Sequence, residues 1–253
     1  YSNIDFSDYP TNAEATERET EMLTSLIKNS GVEKPTVVEI GCGTGRIPNH
    51  LVEVLSAEQL GELIGIDPSE KNLEDARAND ATQKVTYSVG ELANTRLPNE
   101  SADIVIVIGR TMTHLRNKLE FEQAVGEWSR ILKPGGTVVF DLPDNTKGIY
   151  VDNRLRYARI LQNLHIPITE EAAMSYYERV VDSPDKGRSN FDRYVPDLNE
   201  RLSAKSDMTL KEYLEEKSGL VIRELTRAPI AGWEGAENIY YIAEKESDGM
   251  IQP

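Results

Sequence analysis

The chain has 253 residues, a formal net charge of −15 and a hydrophobic fraction of 39%. This length and apolar content suit one sizeable domain, or a domain that carries a substantial insertion. The negative charge disfavours nucleic acid as a partner, because repulsion acts at long range and no Lys/Arg cluster offsets it. No apolar run is long enough to cross a bilayer, so a membrane partner is not expected either.

Cysteine and histidine are scarce. Cys42 is the single cysteine, which excludes an internal disulfide and fits a reducing, cytoplasmic location. One cysteine and three scattered histidines give no zinc-binding spacing, so no metal is expected. The chain does not open on a charged-then-apolar signal segment, and its first residue, Tyr1, suggests either processing or trimming of the start.

The first predicted element is an amphipathic helix over residues 14–29. Its apolar stripe follows helical spacing and consists of Met22, Leu23, Leu26 and Ile27. The pair Ser30-Gly31 ends this helix. An irregular aromatic segment that includes Tyr9 comes before it.

Residues 37–46, with the sequence VVEIGCGTGR, predict a buried strand that turns sharply into a helix over 47–55. Glycine at alternate positions allows costly backbone dihedrals and lets a ligand lie against the turn. The helix would direct free N–H groups and a partial positive charge at that ligand. Pro48 fits the first turn of the helix, where its missing N–H costs nothing.

The glycine spacing narrows the choice of ligand. A dinucleotide fingerprint is G-x-G-x-x-G, but Arg46 occupies the place of its third glycine, which disfavours a nicotinamide oxidoreductase. The phosphate-binding pattern G-x-x-x-x-G-K-[ST] is absent. The remaining pattern, E-x-G-x-G-x-G from Glu39 to Gly45, resembles the first motif of class I S-adenosylmethionine-dependent methyltransferases.

A second apolar run over 63–66 ends in Asp67-Pro68-Ser69, 22 residues past Gly45. An acid at the carboxyl end of the neighbouring parallel strand can accept hydrogen bonds from both hydroxyls of a ribose. The same three residues also start helices well, so a helix cap is the alternative. An acidic residue at this position is what the resembling family shows.

Residues 84–89 predict a third strand, which Gly90-Glu91-Leu92 follow. The resemblance implies that an acid and an apolar residue here bind adenine. The family more often has Asp than Glu at this position. The extra methylene of Glu91 could shift its carboxylate, which leaves the backbone N–H of Leu92 as the surer adenine contact.

The most apolar strand covers 103–108, as expected of a central strand buried on both faces. A helical stripe over 119–132 and a strand over 137–140 follow it, separated by the stop signal KPGG. The segments LPNESAD at 97–103 and LKPGG resemble the same family. Five alternating strand–helix units imply an α/β doubly wound parallel sheet.

The pattern changes from 144 to 207, a charged and tyrosine-rich stretch that predicts an inserted helical cap. A helix over 209–219 and strands over 220–225 and 238–244 then complete the core. The resemblance implies a Rossmann-like, seven-stranded, mostly parallel sheet whose last strand, 238–244, is antiparallel. The predicted organisation is therefore a core over 1–143, a cap over 144–207, completion of the core over 208–246, and a tail over 247–253.

In doubly wound sheets, ligands bind outside the carboxyl ends of the strands. Together with the resemblance, this implies a cofactor site formed by Tyr9, Glu39, Gly41, Cys42, Gly43, Asp67, Pro68, Glu91, Leu92, Ile108, Gly109 and Arg110. Glu39 and the backbone after Ile108 would hold the ammonium group of the methionine part. Arg110 would bind its carboxylate, with a solvated surface arginine as the alternative. Cys42 is expected to be a small loop residue and not a nucleophile.

Methyl transfer from a sulfonium needs alignment and exclusion of water more than it needs a base. His114 is the first candidate for a base and Asp141 the second, with shaping of the pocket and a structural role as their respective alternatives. Residues 108–115 look similar to the corresponding segment of small-molecule N-methyltransferases. The expected function is methyl transfer from S-adenosylmethionine to a small molecule, with amines among the candidates. The alternative is a non-catalytic relative that binds the cofactor or a partner protein.

Overall fold

The structure, a computed structural model, describes residues 13–109, 111–115, 118–143, 214–215, 218–229 and 237–246. The helices are α1 (Ala13–Asn29), α2 (Arg46–Val54), α3 (Glu70–Asn79) and α4 (Lys118–Ile131), and a 3₁₀ helix (Thr111–His114) precedes α4. The strands are β1 (Thr36–Ile40), β2 (Glu62–Asp67), β3 (Val85–Val89), β4 (Ala102–Val107), β5 (Leu132–Pro143), β6 (Leu220–Pro229) and β7 (Glu237–Lys245).

The strands form one seven-stranded sheet in the order β3-β2-β1-β4-β5-β7-β6. Strands β1 to β5 pair in parallel, whereas β7 pairs antiparallel with both β5 and β6. The order reverses between β1 and β4, so the carboxyl ends of these two strands frame a crevice of the kind in which doubly wound proteins bind ligands. The sheet confirms the predicted fold class and the antiparallel last strand.

Apolar residues pack on both faces of the sheet. On one face, Val37 of β1 lies in the same cluster as Leu23 of α1 and Leu51 of α2. On the other, Val38 shares a cluster with Trp128 of α4. Because neighbouring residues of a strand point to opposite faces, burial on both sides explains why consecutive positions, such as Val37 and Val38 in β1 and residues 104–107 in β4, are apolar.

The predicted strand–helix alternation is broken once. Residues 90–101, between β3 and β4, contain no helix and form turns with an isolated bridge between Glu91 and Asn94. Pro98 lacks a backbone N–H, and side-chain bonds from α4 hold this segment in place of helical ones. A second difference is that β5 already begins at Leu132, so the stop signal after α4 lies within the strand.

At the end of the core, Leu214, Glu215 and Ser218 are helical, and Gly219 follows with a φ of 65°. These residues belong to the predicted helix over 209–219. The predicted cap over 144–207 and the tail over 247–253 lie outside the described residues. Within the described part of the chain, no helix combines the length and the apolar character that crossing a membrane would require.

Candidate cofactor site

The turn after β1 can form only with glycine at its first position. Gly41 has a φ of 79°, and a Cβ built on it would lie 2.2 Å from Cγ2 of Thr111. The backbone N–H groups of Gly41 and Cys42 both donate to the carbonyl of Ile66, at 2.7 and 3.0 Å. These bonds join the end of β1 to β2 and fix the start of the turn.

The last glycine of the turn begins α2. Gly45 is the N-cap of that helix, with a φ of 82°, in the left-handed region that favours glycine. A Cβ here would lie 2.6 Å from the hydroxyl oxygen of Tyr87 and 2.8 Å from Nδ2 of Asn49. Close packing of α2 against β3, together with the backbone conformation, therefore explains this glycine.

Asp67 ends β2, and its carboxylate organises the turn. Oδ2 accepts a hydrogen bond from the backbone N–H of Gly43 at 3.0 Å, and Oδ1 accepts bonds from the backbone of Ser69 and the side chain of Asn72. Ser69 is the N-cap of α3, so the predicted helix start and an acid at the strand end are both present. Three donors fill three of about four acceptor positions, which leaves one position on Oδ2 for a ligand.

Glu39 carries a buried carboxylate beside the turn. It is 4% exposed, and its Oε2 has no hydrogen-bond partner among the described residues. Burial raises the pKa of Glu39 to about 8; Arg46 opposes this rise, and the negative charges of Glu19 and Asp67 add to it. A buried acceptor without a donor is costly, so this site is suited to a cationic ligand that donates hydrogen bonds.

Arg46 follows the third glycine and lies over the crevice. Its Nη1 forms an ion pair with Glu19 at 2.7 Å and donates to Thr16 at 3.1 Å. Its Nη2 lies 3.6 Å from where a Cβ on Gly109 would be, which places the guanidinium beside the turn that follows β4. A cation and a buried acid therefore lie near each other at the switch point of the sheet.

The segment after β3 carries the predicted adenine-binding residues Glu91 and Leu92. The backbones of Glu91 and Asn94 bond to each other, at 2.9 and 3.0 Å. The backbone and hydroxyl of Thr95 both donate to Oε1 of Glu127 on α4, at 2.7 and 2.6 Å. Arg130 donates to Glu127 and to the carbonyl of Leu97.

Glu127 keeps its charge in this arrangement. Burial acts to raise its pKa, but hydrogen bonds from Arg130 and Thr95 outweigh burial, and the pKa is lowered. An ionised acceptor with charged and neutral donors makes strong hydrogen bonds. Helix α4 therefore holds the segment after β3 in a fixed shape.

Cys42 is 6% exposed and packs with Leu73, Ala76 and Tyr87. Burial, with smaller contributions from the charges of Glu39 and Asp67, raises the pKa of its thiol far above the ordinary value. A thiol that stays protonated is a poor nucleophile. The environment agrees with the expected role as a small loop residue.

Beyond β4, Ile108 is buried and Gly109 has a φ of 74°. The hydroxyl of Thr111 donates to the carbonyl of Ile108 at 2.8 Å, closing the turn. His114 ends the 3₁₀ helix that follows, on the backbone that leaves the central strand. Tyr9 and Arg110 lie outside the described residues.

Asp141, the second candidate base, is 1% exposed on β5. Its Oδ2 accepts a hydrogen bond from Nδ2 of Asn238 on β7, at 2.8 Å. These contacts lie within the sheet, between two paired strands. The hydrogen bond from Asn238 is a structural contact, and the role of Asp141 as a base stays a prediction.

Several residues that support the site were not identified from the sequence. They are Glu19, Arg46, Asn72, Glu127 and Tyr240. One of them left a readable signal: Glu19 precedes Leu23 by four positions, so it belongs to the apolar stripe of α1. A charged residue in such a stripe requires a buried partner. For Arg46, the sequence interpretation noted that a glycine was missing and assigned no role to the arginine present.

Comparison with known proteins agrees with this geometry. Residues 38–140 match the family model of a methyltransferase domain. An uncharacterized methyltransferase from Anoxybacillus flavithermus is 35% identical over 116 residues, which cover 45% of this chain and 50% of the relative. Demethylmenaquinone methyltransferase from Staphylococcus aureus is 33% identical over 117 residues, covering 45% and 46%. The chain thus spans about half the length of these curated relatives.

A solved structure of an S-adenosylmethionine-dependent methyltransferase from Methanosarcina mazei has the same fold, with a TM-score of 0.57 and 20% identity over 88% of this chain and 98% of that one. Over residues 38–140 the chain is similar to methyltransferase domains, which supports the class I S-adenosylmethionine-dependent family predicted from the sequence. The predicted family is confirmed, and S-adenosylmethionine is the cofactor of that family. The matched region, 38–140, runs from β1 through the glycine turn to β5.

Proposed function

We propose that this methyltransferase domain transfers the methyl group of S-adenosylmethionine to a small-molecule acceptor, with amines as the first class to test. The observation that carries the proposal is that Glu39 and Arg46 both lie at the switch point of the sheet. Glu39 offers a buried oxygen without a donor, and Arg46 offers a guanidinium beside the turn at Gly109. An amino acid has the complementary ammonium and carboxylate groups.

The nucleoside half of the cofactor fits the neighbouring strand ends. Asp67 retains one acceptor position for a ribose hydroxyl, and the backbone of Gly41 to Gly45 presents a surface without bulky side chains. Glu91 and Leu92 follow β3, where the predicted adenine contacts belong. Of the predicted carboxylate partner Arg110 nothing is described, and Arg46 takes that role in the proposal.

Charge argues against a nicotinamide dinucleotide at this site. A pyrophosphate carries two negative charges, offers no hydrogen-bond donor to the buried oxygen of Glu39 and would lie near the buried Asp67. The position of the third dinucleotide glycine is held by Arg46, whose Nη1 is already paired with Glu19. A ligand with a cationic group suits this acidic crevice better.

The reaction is an in-line displacement at the methyl carbon. The acceptor atom forms a bond to the methyl group as the carbon–sulfur bond breaks, and the pair of electrons in that bond stays on sulfur. An amine acceptor must arrive neutral or lose its proton nearby, and His114, after β4, is the proposed base. Excluding water and aligning the two reactants account for most of the expected acceleration.

Two features favour a small acceptor. The net charge of −15 disfavours nucleic acid, and residues 108–115 are similar to the corresponding segment of small-molecule N-methyltransferases. Demethylmenaquinone methyltransferase, a relative named for its acceptor, acts on a small molecule by that name.

A cytoplasmic location belongs to the same proposal, because the single cysteine fits a reducing compartment.

The test begins with binding. S-adenosylmethionine and S-adenosylhomocysteine should raise the melting temperature of the wild type, and Asp67→Ala should remove most of that increase. The exposed Glu74 on α3 offers a matched control, since Glu74→Ala removes one negative charge, as Asp67→Ala does, without touching the turn. No shift at millimolar cofactor would refute the proposed cofactor site.

Turnover is measured next, by formation of S-adenosylhomocysteine with panels of amines, alcohols, phenols and carboxylic acids. Product formed with amines and not with the other classes would support the amine acceptor. Product with another class of acceptor would support the methyltransferase activity and contradict the proposal that the acceptor is an amine. Tight cofactor binding with no product across all panels would favour the non-catalytic alternative.

A further inference from the structure

Three side chains, joined by one hydrogen bond and one ion pair, connect the sheet to the glycine turn. The hydroxyl of Tyr240 on β7 donates to Oε1 of Glu19 on α1, at 2.7 Å. The other oxygen of Glu19 pairs with Nη1 of Arg46 on α2, also at 2.7 Å. Glu19 is 8% exposed and Tyr240 4%, so the bond between these two residues is shielded from water, whereas Arg46 is half-buried.

We propose that Glu19 is a positioning residue that holds Arg46 in place for the carboxylate of the cofactor's methionine part, and that Tyr240 fixes Glu19. The inference rests on the proposed function, because it assigns that carboxylate to Arg46. It extends the proposal by naming the groups that make the guanidinium ready to bind before the ligand arrives.

The geometry divides the guanidinium into a fixed end and an open end. Nη1 is committed to Glu19 and to the hydroxyl of Thr16 on the same helix. Nη2 is directed to the other side, 3.6 Å from where a Cβ on Gly109 would be. Because Nη1 is held by these contacts, the other N–H groups of the guanidinium stay directed at the crevice after β4.

Fixing an arginine in advance strengthens binding, because a long side chain otherwise loses its freedom when the ligand binds. Glu19 is well suited to do this, since burial strengthens its ion pair relative to one in water. Its hydrogen bond from Tyr240 prevents the carboxylate from turning away. The two bonded residues are 221 positions apart, so the first described helix and the last described strand together support one cofactor contact.

Competition with the ligand is the alternative to a positioning role for Glu19. As an anion bound to Arg46, it could compete with the ligand carboxylate for the same charge. The two roles predict opposite signs when Glu19 is removed. Positioning predicts weaker binding of the ligand, and competition predicts tighter binding.

The experiment uses two ligands that differ in the amino-acid part. S-adenosylhomocysteine has the ammonium and the carboxylate, whereas methylthioadenosine has the nucleoside and sulfur without them. Affinities are measured by calorimetry for the wild-type chain, Glu19→Ala, Glu19→Gln, Tyr240→Phe and Arg46→Ala. Glu21→Ala is the matched control, because Glu21 is an exposed acid two positions away on α1.

Glu19→Ala should weaken S-adenosylhomocysteine about tenfold, the size of one lost hydrogen bond to a charged group, and leave methylthioadenosine unchanged. Glu19→Gln, which retains an acceptor for Nη1, should lose about threefold, and Tyr240→Phe a similar factor. The control should match the wild type for both ligands. The double variant of Glu19 and Arg46 should be no weaker than Arg46→Ala alone, because both act through one contact.

The inference is overturned if Glu19→Ala binds S-adenosylhomocysteine as tightly as the wild type or more tightly. It is also overturned if both ligands weaken by the same factor, since a general effect on folding would do this. Tyr240→Phe keeps the aromatic ring in the sheet, so it tests the same relation if Glu19→Ala is poorly folded. A wild-type chain that binds neither ligand refutes the proposed function itself, and the inference with it.

Discussion

At the scale of single residues, Glu39 makes stability depend on pH. Its pKa is about 8 in the folded chain and near 4.5 when exposed, so its favourable contribution is complete below about 4.5 and is lost as pH rises through about 8. Glu39→Gln removes this dependence. The variant should be more stable than the wild type, and the difference in unfolding free energy should grow from pH 6 to pH 8 by up to about 1.4 kcal/mol per pH unit. Melting temperatures of the two chains, measured at each pH, show this growing difference.

Comparing the two chains at each pH cancels the other titrating groups, which both share. The same variant should bind S-adenosylmethionine more weakly, because glutamine cannot neutralise an ammonium. Greater stability with weaker binding is the trade expected of a strained functional group. A margin that stays constant between pH 6 and pH 9 would show that Glu39 does not titrate there.

Substitutions of two glycines of the turn should differ in their cost to stability. Gly41→Ala combines an unfavourable φ with a Cβ that would collide with Thr111, whereas Gly43→Ala meets an unfavourable φ of 54° and no atom within 4 Å. We expect unfolding in urea to show a loss of about 3 kcal/mol or more for Gly41→Ala and about 1 kcal/mol for Gly43→Ala. Equal losses would mean that Thr111 moves aside at little cost.

At the scale of elements, α4 holds the segment between β3 and β4. Glu127→Ala removes the acceptor of the N–H and hydroxyl of Thr95 and the ion-pair partner of Arg130, which keeps its bond to the carbonyl of Leu97. We expect a loss of about 2 kcal/mol of stability, because the N–H of Thr95 is left buried without a partner. Amide exchange should speed up over residues 91–101 more than elsewhere. Exchange that increases uniformly along the chain would contradict a local role for Glu127.

Helix α4 supplies its own control at the neighbouring position. Gly126 is exposed in the middle of the helix, and a Cβ there would have nothing within 4 Å. Gly126→Ala should therefore raise stability by about 0.5–1 kcal/mol, by the gain in helix propensity alone. This variant should leave exchange over 91–101 unchanged, which separates the effect of Glu127 from any change in the helix as a whole.

At the scale of the whole molecule, the sheet was predictable because its signals are local. Strand ends are indicated within a few residues by the buried run over 37–40, by the glycines after it and by Asp67. The antiparallel direction of the last strand came from the resemblance, and its pairing with β5 and β6 was not predicted, because two short strands carry no information about their order in the sheet. The lack of a helix between β3 and β4 was not predicted, because the strand–helix alternation was assumed to continue there. Side chains of α4 hold residues 90–101 in turns instead.

The charged contacts of the site were less predictable than the sheet. Glu19 and Arg46 are 27 positions apart, Thr95 and Glu127 are 32 apart, and Tyr240 lies 221 positions from its acceptor. Periodicity assigns a side chain to a face of its element and leaves its partner across the sheet undefined. The strand ends could therefore be assigned from the sequence, whereas the network that orients Arg46 required the fold.

Linkage between protons and the cofactor tests the whole arrangement at once. At pH 7 a group with a pKa of about 8 is mostly protonated, so Glu39 in the ligand-free chain holds its proton, with Arg46 opposing and Glu19 and Asp67 reinforcing that state. An ammonium bound at Oε2 reverses the preference and favours the charged carboxylate.

Binding of S-adenosylhomocysteine at pH 7 should therefore release close to one proton, and about half a proton at pH 8. Calorimetry in two buffers with different ionisation enthalpies measures this number directly. Methylthioadenosine, which lacks the ammonium, should release none, and neither should S-adenosylhomocysteine with Glu39→Gln. An equal proton count for the two ligands on the wild-type chain would separate Glu39 from the methionine part and leave its buried carboxylate without a ligand.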